Sequence, residues 1–338
     1  MHSLSFRGMG SPCEVRIVGP DAEAIAREAK AEVLRLETKF SRYRDDSLTT
    51  RINRSAGDTE GVVVDEETAR LLDYAAASFA QSDGLFDITS GILRRAWNFK
   101  SGTLPSEKAL DALLPLVGFE KVRWEAPRIV LPLAGMELDF GGYVKEYAAD
   151  RAAEICRARG ARHGLVDLGG DLAVVGPHPG GAPWRVGIRD PERPGRALVT
   201  LPLGWGGVAS SGDYERSLVV DGVRYGHILD PRTGWPVRGL RAVSVVASHC
   251  LVAGTLTTIA MLRGEAGAAW LEANAEHCLY VTEAGRVGGS LAQSSRAAGT
   301  GPRASSRGGR ATNSGRKPAA ESGSLAATAS ARVAKPAR

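Results

Sequence analysis

The sequence has little of what several common functional classes require. No apolar run reaches the roughly 18 residues of a transmembrane helix, so we expect no membrane span. The cysteines are few, widely spaced and without a C-x-x-C pair, which favours buried free thiols over a disulfide framework. His249 and His277 lack the spacing of zinc ligands, and the chain has neither a P-loop nor a serine-hydrolase elbow. Zinc and P-loop nucleotide chemistry are therefore not expected.

Net positive charge is confined to the C-terminal end. The 338 residues contain 43 Lys and Arg and 38 Asp and Glu, a net charge of +5. Residues 290–338 hold nine basic residues and one acid, a net charge of +8, so residues 1–289 carry −3. Because the main part of the chain is mildly acidic, we predict no nucleic-acid partner.

Large apolar side chains are also scarce in residues 290–338, which are rich in Ala, Ser, Gly and Arg. Such a segment cannot bury enough surface to offset the entropy of ordering, so we predict a basic, disordered tail. A polyanion-binding arm is the alternative. Residues 1–289 have the length of one large domain, and we find no linker that divides them.

Met1–Gly10 shows no signal-peptide core and no lipidation-type cysteine. We therefore expect a cytoplasmic protein as the sequence is written. A periplasmic location stays open if the true N-terminus lies upstream.

The periodicity of apolar residues predicts a mixed fold. Helical spacing covers residues 21–40, 65–81, 106–116, 143–159 and 251–262, with Asp21 as a candidate N-cap of the first helix. Strand-like segments are residues 13–18, 122–124, 129–131, 164–168, 172–175, 184–188, 198–203, 242–247 and 279–281. Because helices and strands do not alternate strictly, we predict an α+β class, a single domain with a largely antiparallel mixed sheet flanked by helices.

The segment 208–234 predicts a hairpin with polar chemistry at one end. A Ser210–Asp213 turn precedes a strand, and Asp221-Gly222 is a two-residue turn typical of hairpins. The returning strand leads to His227 and then to residues 230–234, Asp-Pro-Arg-Thr-Gly. This combination favours a site for a phosphorylated ligand. A histidine alone is more commonly structural.

A glycine pair precedes the helix predicted at 143–159. We expect a strand over Met136–Phe140, then Gly141-Gly142, then Lys145 in the first helical turn. Two glycines allow close approach of a ligand, and a helix N-terminus favours an anion. A lysine there opposes the helix dipole and is better explained if it meets a phosphate. The alternative is a glycine turn beside a solvated lysine.

Three further motifs are weaker. The segment Asp167–Asp171, with two central glycines, fits a tight turn with two exposed acids equally well. Asp87 and Thr89 fit an ordinary helix cap as well as a ligand contact. Gly254, Thr257 and Thr258 share one helix face, and the hydroxyls either bond back to the helix or line a cation or phosphate site.

Taken in order, these motifs resemble the ApbE-type FAD:protein FMN transferases, from Met9 to about Val281. The matching segments are Phe40–Ser47 with Asn53, Gly84–Asp87 with Trp97, Asp139–Lys145, Leu165–Asp171, Trp184–Pro191, Ser210–Asp213 and His227–Gly234. The resemblance implies an enzyme that cleaves its substrate FAD with Mg²⁺. It attaches FMN through a phosphoester to a Thr or Ser of an acceptor flavoprotein, and AMP leaves.

The resemblance also implies roles for individual residues. FAD contacts are expected at Met9, Tyr43, Leu85, Phe86, Asp87, Asp139, Lys145, His227 and Ile228. The carbonyl of Gly142 and the hydroxyls of Thr257 and Thr258 match metal-site positions. The catalytic candidates are Lys145, for charge neutralisation, and His227 or Asp230, for proton transfer.

The chain departs from the family at the metal site. The family normally has an Asp at the position of Gly254, and Glu146 stands where the family usually has Gly. Because Mg²⁺ is usually held by one or two carboxylates, we hypothesise that Glu146 compensates for Gly254. Three functions stay open: a transferase, an FAD-binding protein or FAD pyrophosphatase that does not transfer, and a scaffold without flavin chemistry.

Overall fold

The computed structural model describes residues 1–193, 195–213, 216–292 and 331–334. The predicted α+β class is confirmed. The helices are α1 (Ala22–Phe40), α2 (Leu48–Arg54), α3 (Glu66–Gln81), α4 (Glu107–Leu113), α5 (Val144–Ala158), α6 (Cys250–Leu262) and α7 (Gly267–Asn274), with 3-10 helices at Ser90–Arg95, Leu114–Leu116, Phe119–Lys121, Phe140–Gly142 and Gly264–Ala266.

The strands form one large and several small sheets. They are β1 (His2–Gly8), β2 (Ser11–Ile17), β3 (Val62–Val63), β4 (Arg123–Glu125), β5 (Arg128–Val130), β6 (Gly164–Leu168), β7 (Asp171–Gly176), β8 (Trp184–Arg189), β9 (Ala197–Leu203), β10 (Gly207–Gly212), β11 (Ser217–Val220), β12 (Val223–Gly226), β13 (Leu240–Ala247), β14 (His277–Thr282), β15 (Val287–Gly288) and β16 (Ala331–Ala334). The large sheet has the order β1-β2-β6-β7-β10-β13-β14-β15, and each neighbouring pair is antiparallel.

The two faces of the large sheet bury alternate residues. Val166 and Ala173 face a core that includes α1, α5 and α6, whereas Leu165, Leu172 and Val174 face the β8–β9 sheet. This period of two is what a strand buried on both faces requires. The four cysteines are buried and free, as predicted.

The helices follow their apolar stripes. In α1, Ile25, Ala29, Val33, Leu36 and Phe40 are buried as the spacing of three and four predicts. Its N-cap residue, Asp21, differs from the prediction. Its backbone is left-handed, with φ of 53°, and its side chain makes no capping hydrogen bond. In α3, by contrast, the Asp65 side chain accepts from Thr68 N.

Two predicted local structures are wrong. Residues 136–139 form no strand, because the Asn53 side chain takes the place of a neighbouring strand. Its Oδ1 accepts from Leu138 N at 2.7 Å, and its Nδ2 donates to Leu138 O at 3.0 Å. Residues 210–212 extend β10 instead of forming a turn, since they pair with β13.

Several elements were missed, among them β1 and α2. Strand β1 alternates exposed and half-buried residues and forms one edge of the large sheet, and α2 begins where Ser47 caps Thr50 N. Of the predicted tail, residues 293–330 and 335–338 lie outside the described residues, so disorder there stays a prediction. Strand β16, inside that tail, pairs antiparallel with β8.

Candidate active site at one edge of the large sheet

Several chain segments meet at one edge of the large sheet, the edge formed by the ends of its strands and not by the outermost strand β1. The β1–β2 turn and the β6–β7 turn lie side by side there, since a Cβ on Gly169 would stand 2.6 Å from Ser11 Cβ. Met9 and Gly10 adopt left-handed backbone, with φ of 52° and 72°, so the hairpin closes in two residues. The C-terminal end of β10 and the start of α5 reach the same edge, as the following contacts demonstrate.

An ion pair joins α5 to the β6–β7 turn. Lys145 Nζ lies 2.7 Å from Asp171 Oδ2, and the Asp171 side chain is almost completely buried. Asp171 Oδ1 also faces Ser210 N of β10, at 3.4 Å. The glycine turn is confirmed, but the interpretation of two exposed acids is wrong for Asp171. Lys145 is therefore not simply a solvated lysine, because it is held against a buried acid.

The second acid of this turn is also perturbed. Burial raises the pKa of Asp167 to about 7, although Gly170 N donates to its Oδ1 at 2.8 Å and this bond lowers the pKa. The neighbouring Asp171 carboxylate raises it further by like-charge repulsion.

The Asp139 side chain stabilises the Gly141-Gly142 segment. Asp139 Oδ1 accepts from Gly141 N at 2.9 Å, and Oδ2 pairs with the guanidinium of Arg42. Arg42 also donates to Gly91 O at 3.2 Å. A Cβ on Gly142 would meet no atom within 4 Å, so this face of the turn is open to a ligand. Asp139 thus has a structural function beside the FAD contact expected of it.

Tyr43 projects from the protein next to this segment. Its side chain is 77% exposed, and the guanidinium carbons of Arg42 and Arg94 lie 5.2 Å and 5.9 Å from its ring centroid. An exposed aromatic ring backed by two cations is a suitable surface for stacking a planar ligand.

Asp87 is bound on all sides by protein. Its Oδ1 accepts from Thr89 N at 2.7 Å and from Thr89 Oγ1 at 2.6 Å, and its Oδ2 accepts from Phe119 N at 3.1 Å. Leu85 and Phe86 are buried, and the Phe86 ring meets Tyr143 edge-on. These bonds favour a structural function for the Asp87 side chain, and FAD contacts by residues 85–87 stay predictions.

The β11–β12 hairpin brings the end of β10 close to His227. A Cβ on Gly226 would stand 3.1 Å from Asp213 Cβ, so the residue before His227 packs on the residue after β10. Asp221 and Gly222 both have positive φ, as the predicted turn requires. His227 and Ile228 are half-buried, and Ile228 packs against the main core.

Asp230 shapes the loop that follows. Its Oδ1 accepts from Arg232 N at 2.8 Å, and its carbonyl accepts from Gly234 N at 2.8 Å. Trp97 Nε1 donates to Gly234 O at 2.7 Å and joins this loop to the segment that follows the 3-10 helix Ser90–Arg95. The observed bonds favour a structural function for Asp230, and its catalytic function stays a prediction.

Helices α5 and α6 pack antiparallel at the back of the site. Asp150 Oδ1 and Oδ2 accept from Cys250 N and Leu251 N, each at 2.9 Å, and so cap α6. One helical turn away, Glu146 faces Gly254. A Cβ on Gly254 would stand 2.6 Å from Glu146 Cγ and 3.0 Å from its Oε1.

Glu146 is a buried acid in the first turn of α5. It is 9% exposed, and its Oε2 has no hydrogen-bond partner among the described residues. Burial, followed by repulsion from Asp171, raises the pKa of Glu146 to about 8, although Lys145 acts in the opposite direction.

The threonines of α6 connect this helix to β10. Thr257 Oγ1 donates to Gly254 O at 2.8 Å, the back-bond that the sequence predicted as one alternative, and lies 2.9 Å from Ser211 Oγ. Thr258 is half-buried on the next position of the helix.

The described residues contain no cluster of three or more His, Cys, Asp or Glu side chains arranged to hold a metal. Among the described helices, none combines the length and apolarity that a membrane crossing requires.

A cleft of about 900 Å³ opens elsewhere, beside Lys39, Ser47 and Arg54, and none of the predicted site residues lines it. Convergence of polar groups, and not cavity size, therefore locates the candidate site.

The family model that describes the ApbE family matches residues 9–281. The chain belongs to the ApbE family. Two curated relatives are named FAD:protein FMN transferase: that of Treponema pallidum is 33% identical over 279 residues, 76% of this chain and 77% of the relative. That of Vibrio cholerae is 28% identical over 282 residues, 80% of this chain and 84% of the relative.

Solved structures agree with this assignment. The ApbE protein of Thermotoga maritima is 34% identical, with a TM-score of 0.78, over 85% of this chain and 96% of that protein. The flavin transferase ApbE of Vibrio cholerae is 27% identical, with a TM-score of 0.76, over 87% of this chain and 98% of that protein.

In this member of the ApbE family the predicted residues fall into groups. Lys145, Gly142 and Thr257 lie around the junction of α5, α6 and β10, whereas Tyr43 and Asp139 are joined through Arg42. Sequence reasoning missed the functions of Arg42 and Asp150. An arginine before an exposed tyrosine was a usable signal for the first, but the capping function of Asp150 depends on a helix 100 residues away.

Proposed function

We propose that this protein is an FAD:protein FMN transferase. Membership of the ApbE family and the shared name of its curated relatives support the proposal. The observation that carries it is the meeting of Lys145, the open Gly141-Gly142 turn and the α6 hydroxyls at one sheet edge. Such a place offers a cation, free backbone and hydroxyl ligands to a pyrophosphate.

The reaction breaks one P–O bond of the FAD pyrophosphate and forms another. The hydroxyl oxygen of an acceptor Thr or Ser attacks the phosphorus on the FMN side, AMP leaves with the bridging oxygen, and the hydroxyl proton passes to a base. Lys145 would neutralise charge on the pyrophosphate. His227 is our candidate for the proton acceptor, because it directly follows β12, whose last residue, Gly226, packs on Asp213. Asp230 is the alternative.

We propose Mg²⁺ as the cofactor. The residues present fit a hard cation, because Gly142 offers a carbonyl, Thr257 and Thr258 offer hydroxyls, and a buried carboxylate oxygen of Glu146 has no partner among the described residues. When bound, Mg²⁺ would supply charge neutralisation at the phosphates.

We place the isoalloxazine and ribityl parts of FAD along Met9, Tyr43, residues 85–87, Asp139 and Ile228. The exposed ring of Tyr43, with Arg42 and Arg94 behind it, supports a stacking contact. The partner is then a flavoprotein whose Thr or Ser reaches the open face of the Gly141-Gly142 turn.

The test is incubation of the purified protein with FAD, Mg²⁺ and an acceptor domain that carries the target threonine. Transfer predicts covalent flavin fluorescence on the acceptor after denaturing electrophoresis, and none on its Thr→Ala variant. AMP without labelled acceptor would indicate an FAD pyrophosphatase, and FAD binding without either product would indicate a binder. A protein that does not bind added FAD would have kept only the scaffold.

A further inference from the structure

Two facing positions of α5 and α6 share one volume. Asp150 caps α6 at Cys250 and Leu251. The antiparallel packing then sets Glu146, four residues before Asp150 in α5, opposite Gly254, four residues after Cys250 in α6. A Cβ on Gly254 would stand 2.6 Å from Glu146 Cγ and 3.0 Å from its Cδ. Since real Cβ contacts are essentially never this short, Glu146 occupies the space that a side chain at 254 would take.

The carboxylate in that space is incompletely bonded. Glu146 is 9% exposed, and its Oε2 has no hydrogen-bond partner among the described residues. A buried polar atom without a partner is destabilising, and a bound ligand at Glu146 Oε2 would remove that penalty.

The surroundings of Glu146 match a hard cation. Thr257 lies one helical turn beyond Gly254 on the same face of α6, and its hydroxyl contacts Ser211. Lys145, the neighbour of Glu146 in the sequence, directs its ammonium group to Asp171 at 2.7 Å, so the nearest lysine is already engaged by another carboxylate. Oxygen ligands from a carboxylate, hydroxyls and a carbonyl are those that Mg²⁺ and Mn²⁺ prefer.

We propose that Glu146 is the acidic ligand of the divalent cation in this chain, and that residue 254 is glycine because the Glu146 side chain occupies the space beside it. The inference rests on the proposed function for the identity of the site, but it concerns which helix carries the charge.

The test measures Mn²⁺ binding directly, by electron paramagnetic resonance in the presence of saturating FAD and without acceptor. We expect Glu146→Gln to weaken Mn²⁺ binding by about tenfold or more, because the amide keeps the shape but removes the charged ligand. The control is Glu154→Gln, an exposed position on α5 that pairs with Arg151, which should leave the affinity unchanged.

A double exchange makes the test independent of folding defects in any single variant. Glu146→Gly should lose Mn²⁺ binding, and Gly254→Asp alone should be poorly tolerated because its Cβ meets Glu146. The double variant Glu146→Gly with Gly254→Asp should return the affinity to within about threefold of the starting protein, a rescue that a purely structural function of Glu146 would not produce. Thermal unfolding of each variant verifies that it is folded.

Unchanged Mn²⁺ affinity in folded Glu146→Gln would overturn the inference, as would a folded double variant that binds no Mn²⁺. Failure of the inference is distinct from failure of the proposed function. If only the inference fails, the protein attaches FMN to its acceptor in the presence of Mg²⁺, but its metal affinity does not depend on Glu146. If only the proposed function fails, the protein binds metal through Glu146 but attaches no FMN to the acceptor.

Discussion

Lys145 on α5 reaches across to Asp171 at the start of β7, with 2.7 Å between Nζ and Oδ2. The lysine is half-exposed, whereas the aspartate is buried. The pair therefore fixes the start of α5 against the sheet edge and leaves part of the lysine side chain exposed. In the proposed reaction the same ammonium group serves both the buried acid and the pyrophosphate.

Replacing Lys145 by Met should lower both stability and FAD affinity. Removing this cation from a buried carboxylate should destabilise the fold by about 1–3 kcal/mol, less than for a fully buried pair because Lys145 is partly solvated. Urea unfolding measures the first effect, and fluorescence titration of FAD measures the second.

The double variant Lys145→Met with Asp171→Asn separates the two functions of the lysine. It should recover most of the stability but not the FAD affinity or the transfer. Full recovery of transfer in this variant would show that Lys145 acts only on Asp171.

Gly254→Ala should destabilise the protein. In an open helix this change is stabilising by about 1 kcal/mol, but here the new methyl group would collide with Glu146, and overpacking of this kind costs about 1–3 kcal/mol. In a Glu146→Ala background the same substitution should become neutral or stabilising. Chemical unfolding of the unmodified protein, the two single variants and the double variant gives the coupling free energy between the two positions. A coupling free energy of zero would contradict the observed packing.

Asp150→Ala should loosen α6. The carboxylate accepts two backbone hydrogen bonds at the start of this helix, and loss of such a cap costs about 1–2 kcal/mol. We expect faster hydrogen exchange in the first turn of α6 and a smaller effect for Asp150→Asn, which keeps one acceptor. If exchange at Cys250 and Leu251 is unchanged in Asp150→Ala, the cap is unimportant.

Asp167→Asn should stabilise the protein in a pH-dependent manner. Burial raises the pKa of Asp167 from its ordinary value near 3.8 to about 7, so the folded state holds a proton that the unfolded state has lost between these values. Stability of the unmodified protein therefore falls as pH rises through this window. The amide keeps the acceptor for Gly170 N and carries no charge.

The unfolding midpoint of Asp167→Asn, relative to the unmodified protein, should thus increase from about pH 4 to about pH 7 and then level off. Asp58→Asn, in an exposed turn where Asp58 Oδ1 accepts from Glu60 N, controls for the substitution itself. A difference at Asp167 that is constant with pH would contradict a raised pKa.

Local patterns predicted the parts of the fold that depend on one segment. The stripe of α1 and the alternation of Leu165 and Val166 follow from burial on one helix face or on two sheet faces. Local patterns failed where a side chain makes the hydrogen bonds that a neighbouring strand would otherwise make, as the Asn53 side chain does with the backbone of Leu138. No local signal distinguishes that arrangement from a short strand.

The candidate site was predictable only in part, for the same physical reason. Glycine pairs and the lysine at the start of α5 predict a phosphate site because their chemistry is local. That Asp171 is buried against Lys145, and that Glu146 fills the space beside Gly254, depends on packing between segments far apart in the chain. Such contacts leave no periodicity in the sequence.

The most direct test of the account is the ratio of products in one reaction. AMP is measured by chromatography and covalent FMN by mass spectrometry of the acceptor peptide, after incubation with FAD, Mg²⁺ and acceptor. The account predicts equal amounts of AMP and FMN-modified acceptor, both abolished by a chelator. AMP released without modified acceptor, or neither product from a protein that binds FAD, would contradict it.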